Sequence, residues 1–148
     1  MSTTNRIFID SSILIEAIKG KKIDFYTSLV SDSSNHFFVN DIVVSEYVYF
    51  ILGLNSGISP RTIKEKKLIG NILNNSVKEI NILKDFTFIS SDERLLDYVP
   101  ELMSKYNLLP NDAIILATCK IHSINMFASH DTDFIEPCNE EGIHLLSS

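Results

Sequence analysis

Arg6-Ile7-Phe8-Ile9-Asp10-Ser11-Ser12-Ile13-Leu14-Ile15-Glu16-Ala17-Ile18-Lys19-Gly20 decides the fold class. Arg6 to Ile9 is β-branched and aromatic, the composition of a short buried strand, and it stops at a carboxylate, Asp10. Ile13, Leu14, Ala17 and Ile18 then recur at helical spacing, with Ser11 or Ser12 placed as N-cap and Gly20 placed to end the helix. A strand that runs through an acid into a helix is the start of a crossover connection, and crossovers join parallel neighbours.

The same grammar repeats outward from this segment. Ile23 to Val30 carries a second helical stripe, and His36 to Val39 reads as strand two. Asn40 or Asp41 caps an apolar helix over Ile42 to Leu52, in which Glu46 is the sole ionisable acid. Gly53 to Pro60 reads as a long loop, and Ser59-Pro60 supplies the N-cap and first position of a helix reaching about Asn75. Its exposed face carries Arg61, Lys64, Lys66 and Lys67, the densest basic charge in the chain. Phe86 to Ile89 forms a third strand, followed by Ser91 as the cap of a helix that Pro100 interrupts or restarts. Pro110-Asn111-Asp112 opens a further helix, Asn125 to Ala128 gives strand four, and Ile143 to Leu146 a fifth. The alternation predicts an α/β fold with a central, mainly parallel sheet of four to five strands flanked by helices. With no linker, repeat or low-complexity tract in its 148 residues, the chain reads as a single domain over 1–148.

Composition excludes several classes. At 45% hydrophobic and 22% charged the chain has a globular balance, and no apolar run approaches the ~20 residues of a membrane helix. Met1 to Asn5 lacks the apolar core of a secretory leader, so the expected location is the cytoplasm and no membrane partner is expected. Cys119 and Cys138 match neither a disulfide framework nor a zinc pattern, and His36, His122, His130 and His144 lack the spacing of a histidine site. A formal charge of −6 argues against nucleic-acid binding through a broad basic surface. An RNA partner would need its repulsion offset, and divalent cations held in an acidic site are the natural means.

The acids fall where an open α/β sheet binds its ligands, beyond the carboxyl ends of the strands. Asp10 and the segment Ser129-His130-Asp131-Thr132-Asp133 follow predicted strands, Asp112 lies in the first turn of its helix, and Glu46 lies one turn into another. Each has an ordinary alternative: Asp10 as a helix cap, Asp112 as a dipole-favoured first-turn acid, Asp131 and Asp133 as a turn. Their joint placement is the signal. Converging carboxylates without cationic partners repel one another and persist best around a metal, and all-oxygen donors select Mg²⁺ or Mn²⁺. Such ions serve phosphodiester hydrolysis. His130 is expected to sit in a solvated loop, and Lys64 to Lys67 on a solvated helix face, contact with RNA phosphates being the alternative.

At these residues the sequence resembles the PIN-domain ribonucleases, in particular the VapC-type toxins of toxin–antitoxin pairs. The matching segments are Ile7 to Ile15, Val44-Ser45-Glu46, Leu109 to Ala117 and Phe127 to Phe134, in the family's order and spacing. The resemblance implies a PIN-like three-layer sandwich. It also implies that Asp10, Glu46, Asp112 and Asp131 are catalytic, and that Asp10, Asp112, Asp131 and Asp133 hold Mg²⁺ or Mn²⁺. It further implies endonucleolytic cleavage of RNA, with Glu46 orienting or deprotonating the attacking water, frequent homodimers, and a cognate antitoxin lying over the active site. Asn55 to Asn81 is longer and more polar than usual for the family, and Ser129 replaces its usual threonine. Two rivals remain. A haloacid-dehalogenase-type phosphohydrolase expects D-x-D-x-T where this chain has Asp10-Ser11-Ser12, and a nonenzymatic RNA- or partner-binding module predicts binding without metal dependence. A dinucleotide-binding domain lacks its G-x-G-x-x-G turn.

Overall fold

The computed structural model describes residues 3–148. Five strands, β1 (Asn5–Ile9), β2 (Asn35–Val39), β3 (Thr87–Phe88), β4 (Met126–Ala128) and β5 (His144–Leu146), form one sheet in the order β3-β2-β1-β4-β5. Every pairing is parallel, with Ile7 opposite both Phe37 and Met126. A parallel sheet is covered on both faces, so its strands run as continuous apolar stretches. Ile7, Phe8 and Ile9 are accordingly all buried, as are Phe37, Phe38 and Val39 beside them.

The chain winds from β1 outward through β2 to β3, then returns to the other side of β1 to lay down β4 and β5. The direction reverses between β1 and β4, and the carboxyl ends of those strands flank the crevice where such sheets bind ligands. Asp10 and Ser129 are the residues that leave those two ends. The Asp10 N–H donates to Ala128 O at 2.9 Å, and the Ser129 N–H donates to Leu146 O at 3.1 Å.

The helices are α1 (Ser11–Ile18), α2 (Ile23–Ser31), α3 (Asp41–Leu54), α4 (Pro60–Glu65), α5 (Ile69–Asn74), α6 (Val77–Asn81), α7 (Leu95–Tyr106), α8 (Pro110–Ile121) and α9 (Ile135–Glu140). α1 packs against α2 and α3, and α7 against α8. Asn40 caps α3, accepting the Val43 N–H at 3.2 Å while its own amide donates to Thr118 Oγ1 of α8 at 3.2 Å. Asp41, the alternative cap, instead accepts the Ser91 hydroxyl at 2.6 Å.

Several local expectations change. The single helix expected from Ser59 to Asn75 is α4 and α5, separated by Lys67 in the left-handed region at φ 58°. Leu68 N–H reaches Ile63 O and Lys67 N–H reaches Lys64 O, both at 3.0 Å, which is a Schellman cap without its usual glycine. Pro100 lies inside an unbroken α7. The carbonyl that loses its N–H partner is that of Leu96, which at 80% exposure can be served by water. Ser91 does not cap α7, which begins at Leu95; the preceding turn is held by Asp92, whose Oδ1 accepts the Arg94 N–H at 2.8 Å. The third strand shrinks to Thr87–Phe88.

Candidate metal centre and active site

α1 starts at Ser11, so the N-cap position falls on Asp10 and the serines expected as caps are freed. Asp10 is 5% exposed, and its Oδ2 accepts the Ser12 hydroxyl at 2.7 Å and the Ser129 hydroxyl at 2.8 Å. Both hydroxyls then accept from the β4 loop: Ser12 Oγ takes the His130 N–H at 3.0 Å, and Ser129 Oγ takes the Asp131 N–H at 3.0 Å. Asp131 Oδ1 accepts the Asp133 N–H at 2.9 Å. A continuous set of bonds thus ties the end of β1 to the acidic loop after β4. The third hydroxyl, Ser11 Oγ, donates to Glu46 Oε1 on α3 at 3.3 Å.

Asp112, in the first turn of α8, meets this loop. Oxygen atoms of Asp112, Asp131 and Asp133 all lie within 4.8 Å of one another. Among the described residues, none of the five predicted acids takes part in an ion pair. Burial and then repulsion from Asp131, Asp10, Glu46 and Asp133 push the Asp112 carboxyl up to about 6. Glu46 is raised by burial first and by Asp10 next, against the Ser11 hydroxyl and the Asn111 side chain, which hold it down. Asp10 is raised by burial, which outweighs its bonds to Ser12 and Ser129. Coulombic coupling links Asp10 to both Glu46 and Asp112, so these side chains share one field.

The fit of a hard divalent cation rests on this donor chemistry. Three carboxylates converge with oxygen-only donors and no compensating side-chain cation, the arrangement that Mg²⁺ or Mn²⁺ relieves. The sequence grouped Asp10 with Asp112, Asp131 and Asp133 as ligands; the tight cluster holds the last three, while Asp10 has turned Oδ2 to the two serines. An open cleft of about 390 Å³ runs beside the cluster, lined by Glu46, Leu109, Pro110, Asn111 and Asp112.

Sequence reasoning missed Ser129 as a supporting residue. It is fully buried, and its partner Asp10 lies 119 positions away, so its only local sign was a small hydroxyl residue directly after a strand. His130 differs from its expected place in a solvated loop. Its ring packs against Phe25 of α2 with centroids 5.5 Å apart, and its Nδ1 is buried without a hydrogen-bond partner. Burial, with Lys22 next, lowers its pKa.

An acid set at the switch point of a parallel sheet and a matching family model agree. The chain belongs to the PIN-domain family, whose model matches residues 7–139. It is similar to Ribonuclease VapC2 of Methanocaldococcus jannaschii, at 32% identity over 131 residues, covering 88% of this chain and 87% of the relative. Its fold matches a toxin–antitoxin complex from Klebsiella pneumoniae with a TM-score of 0.59 at 18% identity, covering 87% of this chain and 90% of the other. It also matches Mycobacterium tuberculosis VapC20, a sarcin-ricin loop cleaving toxin, with a TM-score of 0.63 at 15% identity, covering 88% and 94%.

Proposed function

We propose that this chain is a Mg²⁺- or Mn²⁺-dependent endoribonuclease and the toxin of a toxin–antitoxin pair. The observation that carries the reading is the convergence of Asp112, Asp131 and Asp133, without ion-pair partners, at the crevice where Asp10 and Glu46 also lie. Similarity to a VapC ribonuclease over most of both chains supports the substrate class. The antitoxin partner follows from the solved complex of the same fold. One sheet and one buried core serve the described residues, which supports reading 1–148 as a single PIN domain.

A divalent cation held here supplies positive charge against the phosphodiester and its departing oxygen. Asp112, Asp131 and Asp133 provide its oxygen donors. Asp10, fixed by Ser12 and Ser129 through Oδ2, would stand beside that set as a further carboxylate facing the ion. Glu46 orients the attacking water and accepts its proton, a task suited to a carboxylate whose basicity burial and Asp10 have raised. Water oxygen bonds to phosphorus, the bond from phosphorus to the leaving ribose oxygen breaks, and that oxygen takes up a proton. A homodimer is part of this proposal.

The test is cleavage of a mixed pool of structured RNAs by the purified protein with Mg²⁺, Mn²⁺ or chelator, beside Asp10→Asn and Asp112→Asn. Cuts that need metal and vanish in both variants support the reading. Cuts that survive chelator, or full activity in either variant, defeat it.

A further inference from the structure

α3 buries Val43, Tyr47 and Ile51 completely, so that stripe faces the core. Tyr49 stands about 200° around the helix from Tyr47 and is 62% exposed. Glu46, which lines the acidic cleft, and Tyr49 stand at i and i+3 on the same helix and are therefore neighbours on its surface. Tyr49, Phe50, Gly53, Leu54 and Pro60 line an open, almost wholly apolar groove of about 340 Å³ between α3 and the start of α4.

Cations border this groove in a chain whose net charge is −6. The Lys19 ammonium lies 5.4 Å from the centroid of the Phe50 ring, although it also pairs with Glu16 at 3.1 Å. At the far end, Lys64 is four residues from Pro60 and therefore on the same face of α4. Arg61 is paired with Glu65 at 3.2 Å, while Lys64 has no ion pair among the described residues. Gly53 adds an independent sign. A glycine inside a helix costs stability relative to alanine, yet a Cβ there would meet only Ile58 O at 3.9 Å, so packing does not demand it. Gly53 itself lines the groove, so a larger side chain there would have open groove space to occupy.

We propose that this groove holds single-stranded RNA beyond the scissile phosphate, with a base stacked on Tyr49 and a backbone phosphate on Lys64. The proposal rests on the nuclease reading, which it deepens. A substrate strand leaving the acidic cleft past Glu46 meets Tyr49 next, a flat aromatic face suits any base, and the bordering lysines complement phosphate. The lysine-rich segment of the sequence thereby gains a role that the catalytic acids do not give it.

The experiment measures anisotropy of a short fluorescein-labelled, unstructured pyrimidine oligoribonucleotide with Asp10→Asn protein, and then adds Tyr49→Ala, Tyr49→Phe, Gly53→Leu or Lys64→Gln. Tyr49→Ala and Gly53→Leu are expected to weaken binding about ten-fold or more, whereas Tyr49→Phe retains it. Lys64→Gln is expected to lower the salt slope of log K by about 0.7, one single-strand phosphate contact. In the active protein Tyr49→Ala is expected to raise KM and leave kcat in place. Unchanged affinity in Tyr49→Ala overturns the proposal while leaving the nuclease reading intact. So does a Tyr49→Ala variant that splits a dimer in sedimentation without touching RNA affinity, since the face would then belong to a second copy. Tyr49-dependent binding in a protein that cleaves no RNA with either metal would sink the nuclease reading and leave the groove standing.

Discussion

Asp10 is held by hydroxyls: Ser12 and Ser129 each donate to its Oδ2, and each passes the connection on to a backbone N–H of the loop carrying Asp131. Removing the Ser129 hydroxyl strips one donor from a buried carboxylate and leaves the Asp131 N–H without its acceptor. Ser129→Ala is therefore expected to cost about 1–3 kcal/mol in urea unfolding and to push the Asp10 carboxyl higher still. An unchanged midpoint would show that the bonds contribute nothing. Glu46→Gln keeps the shape of the site and its contact with Ser11 but removes the proposed proton acceptor. Cleavage is expected to fall about 10²- to 10⁴-fold with RNA affinity retained, measured by single-turnover kinetics; a variant that lost affinity instead would assign Glu46 to binding. The acids were legible in the sequence because each follows a strand or lies in the opening turns of a helix, positions that local pattern marks. The serines were not, because their partners are fixed only when β1 and β4 become neighbours.

At the scale of elements, the strand, acid and helix units survive intact, while the break in the helix expected from Ser59 to Asn75 has its own physical reason. Three helices end in Schellman bonding, with the left-handed residue supplied by Gly20, Lys67 and Ser123, and Gly142 takes the same conformation after α9. Glycine at that position announces the helix end in sequence; lysine and serine do not, so the break at Lys67 was hidden inside an apparently continuous helix. Side-chain residues in the left-handed region carry a cost of about 1–2 kcal/mol. Lys67→Gly and Ser123→Gly are thus each expected to raise the urea midpoint, the unfolding free energy gaining up to about 1 kcal/mol after the added freedom of the unfolded chain is counted. A fall in either midpoint would mean that the side chain makes a contact worth more than the strain it bears. α6 and α9 escaped the reading because helices of five and six residues present too few turns for a periodic stripe to appear.

Across the whole molecule, the winding of the sheet brings acids from β1, α3, α8 and the β4 loop into one field, so folding itself assembles a repulsion that the unfolded chain lacks. Its sign is open to measurement. The Asp112 carboxyl is pushed up to about 6 in the folded protein, above the ordinary aspartate range, and Asp10 and Glu46 are raised in the same sense. Below pH ~3 both folded and unfolded forms hold the Asp112 proton. As pH rises toward 6 the unfolded form releases it first, the folded state binds more protons, and stability falls until the folded group has also ionised. Metal-free protein in chelator is therefore expected to melt at a higher temperature at pH 5 than at pH 7. Asp92 and Glu141, both lowered, lose their contribution in the opposite direction and at more acid pH, while His130, lowered by burial, opposes the raised acids within the interval from 5 to 7, so the expected fall is the surplus of three raised carboxyls over one imidazole. At pH 7, Mg²⁺ or Mn²⁺ at a hundred times its Kd is expected to add about 2.7 kcal/mol, and the gain should fade toward pH 4 as protons compete for the same oxygens. Asp112→Asn is expected to stabilise the metal-free protein at pH 7 by on the order of 1 kcal/mol, discounted for the solvent that screens a half-exposed group, and to abolish the metal-dependent gain. If Asp112→Asn instead lowered the metal-free melting temperature, the carboxylate would be stabilising the fold through a protein partner, and the case for a site assembled to receive a cation would fail.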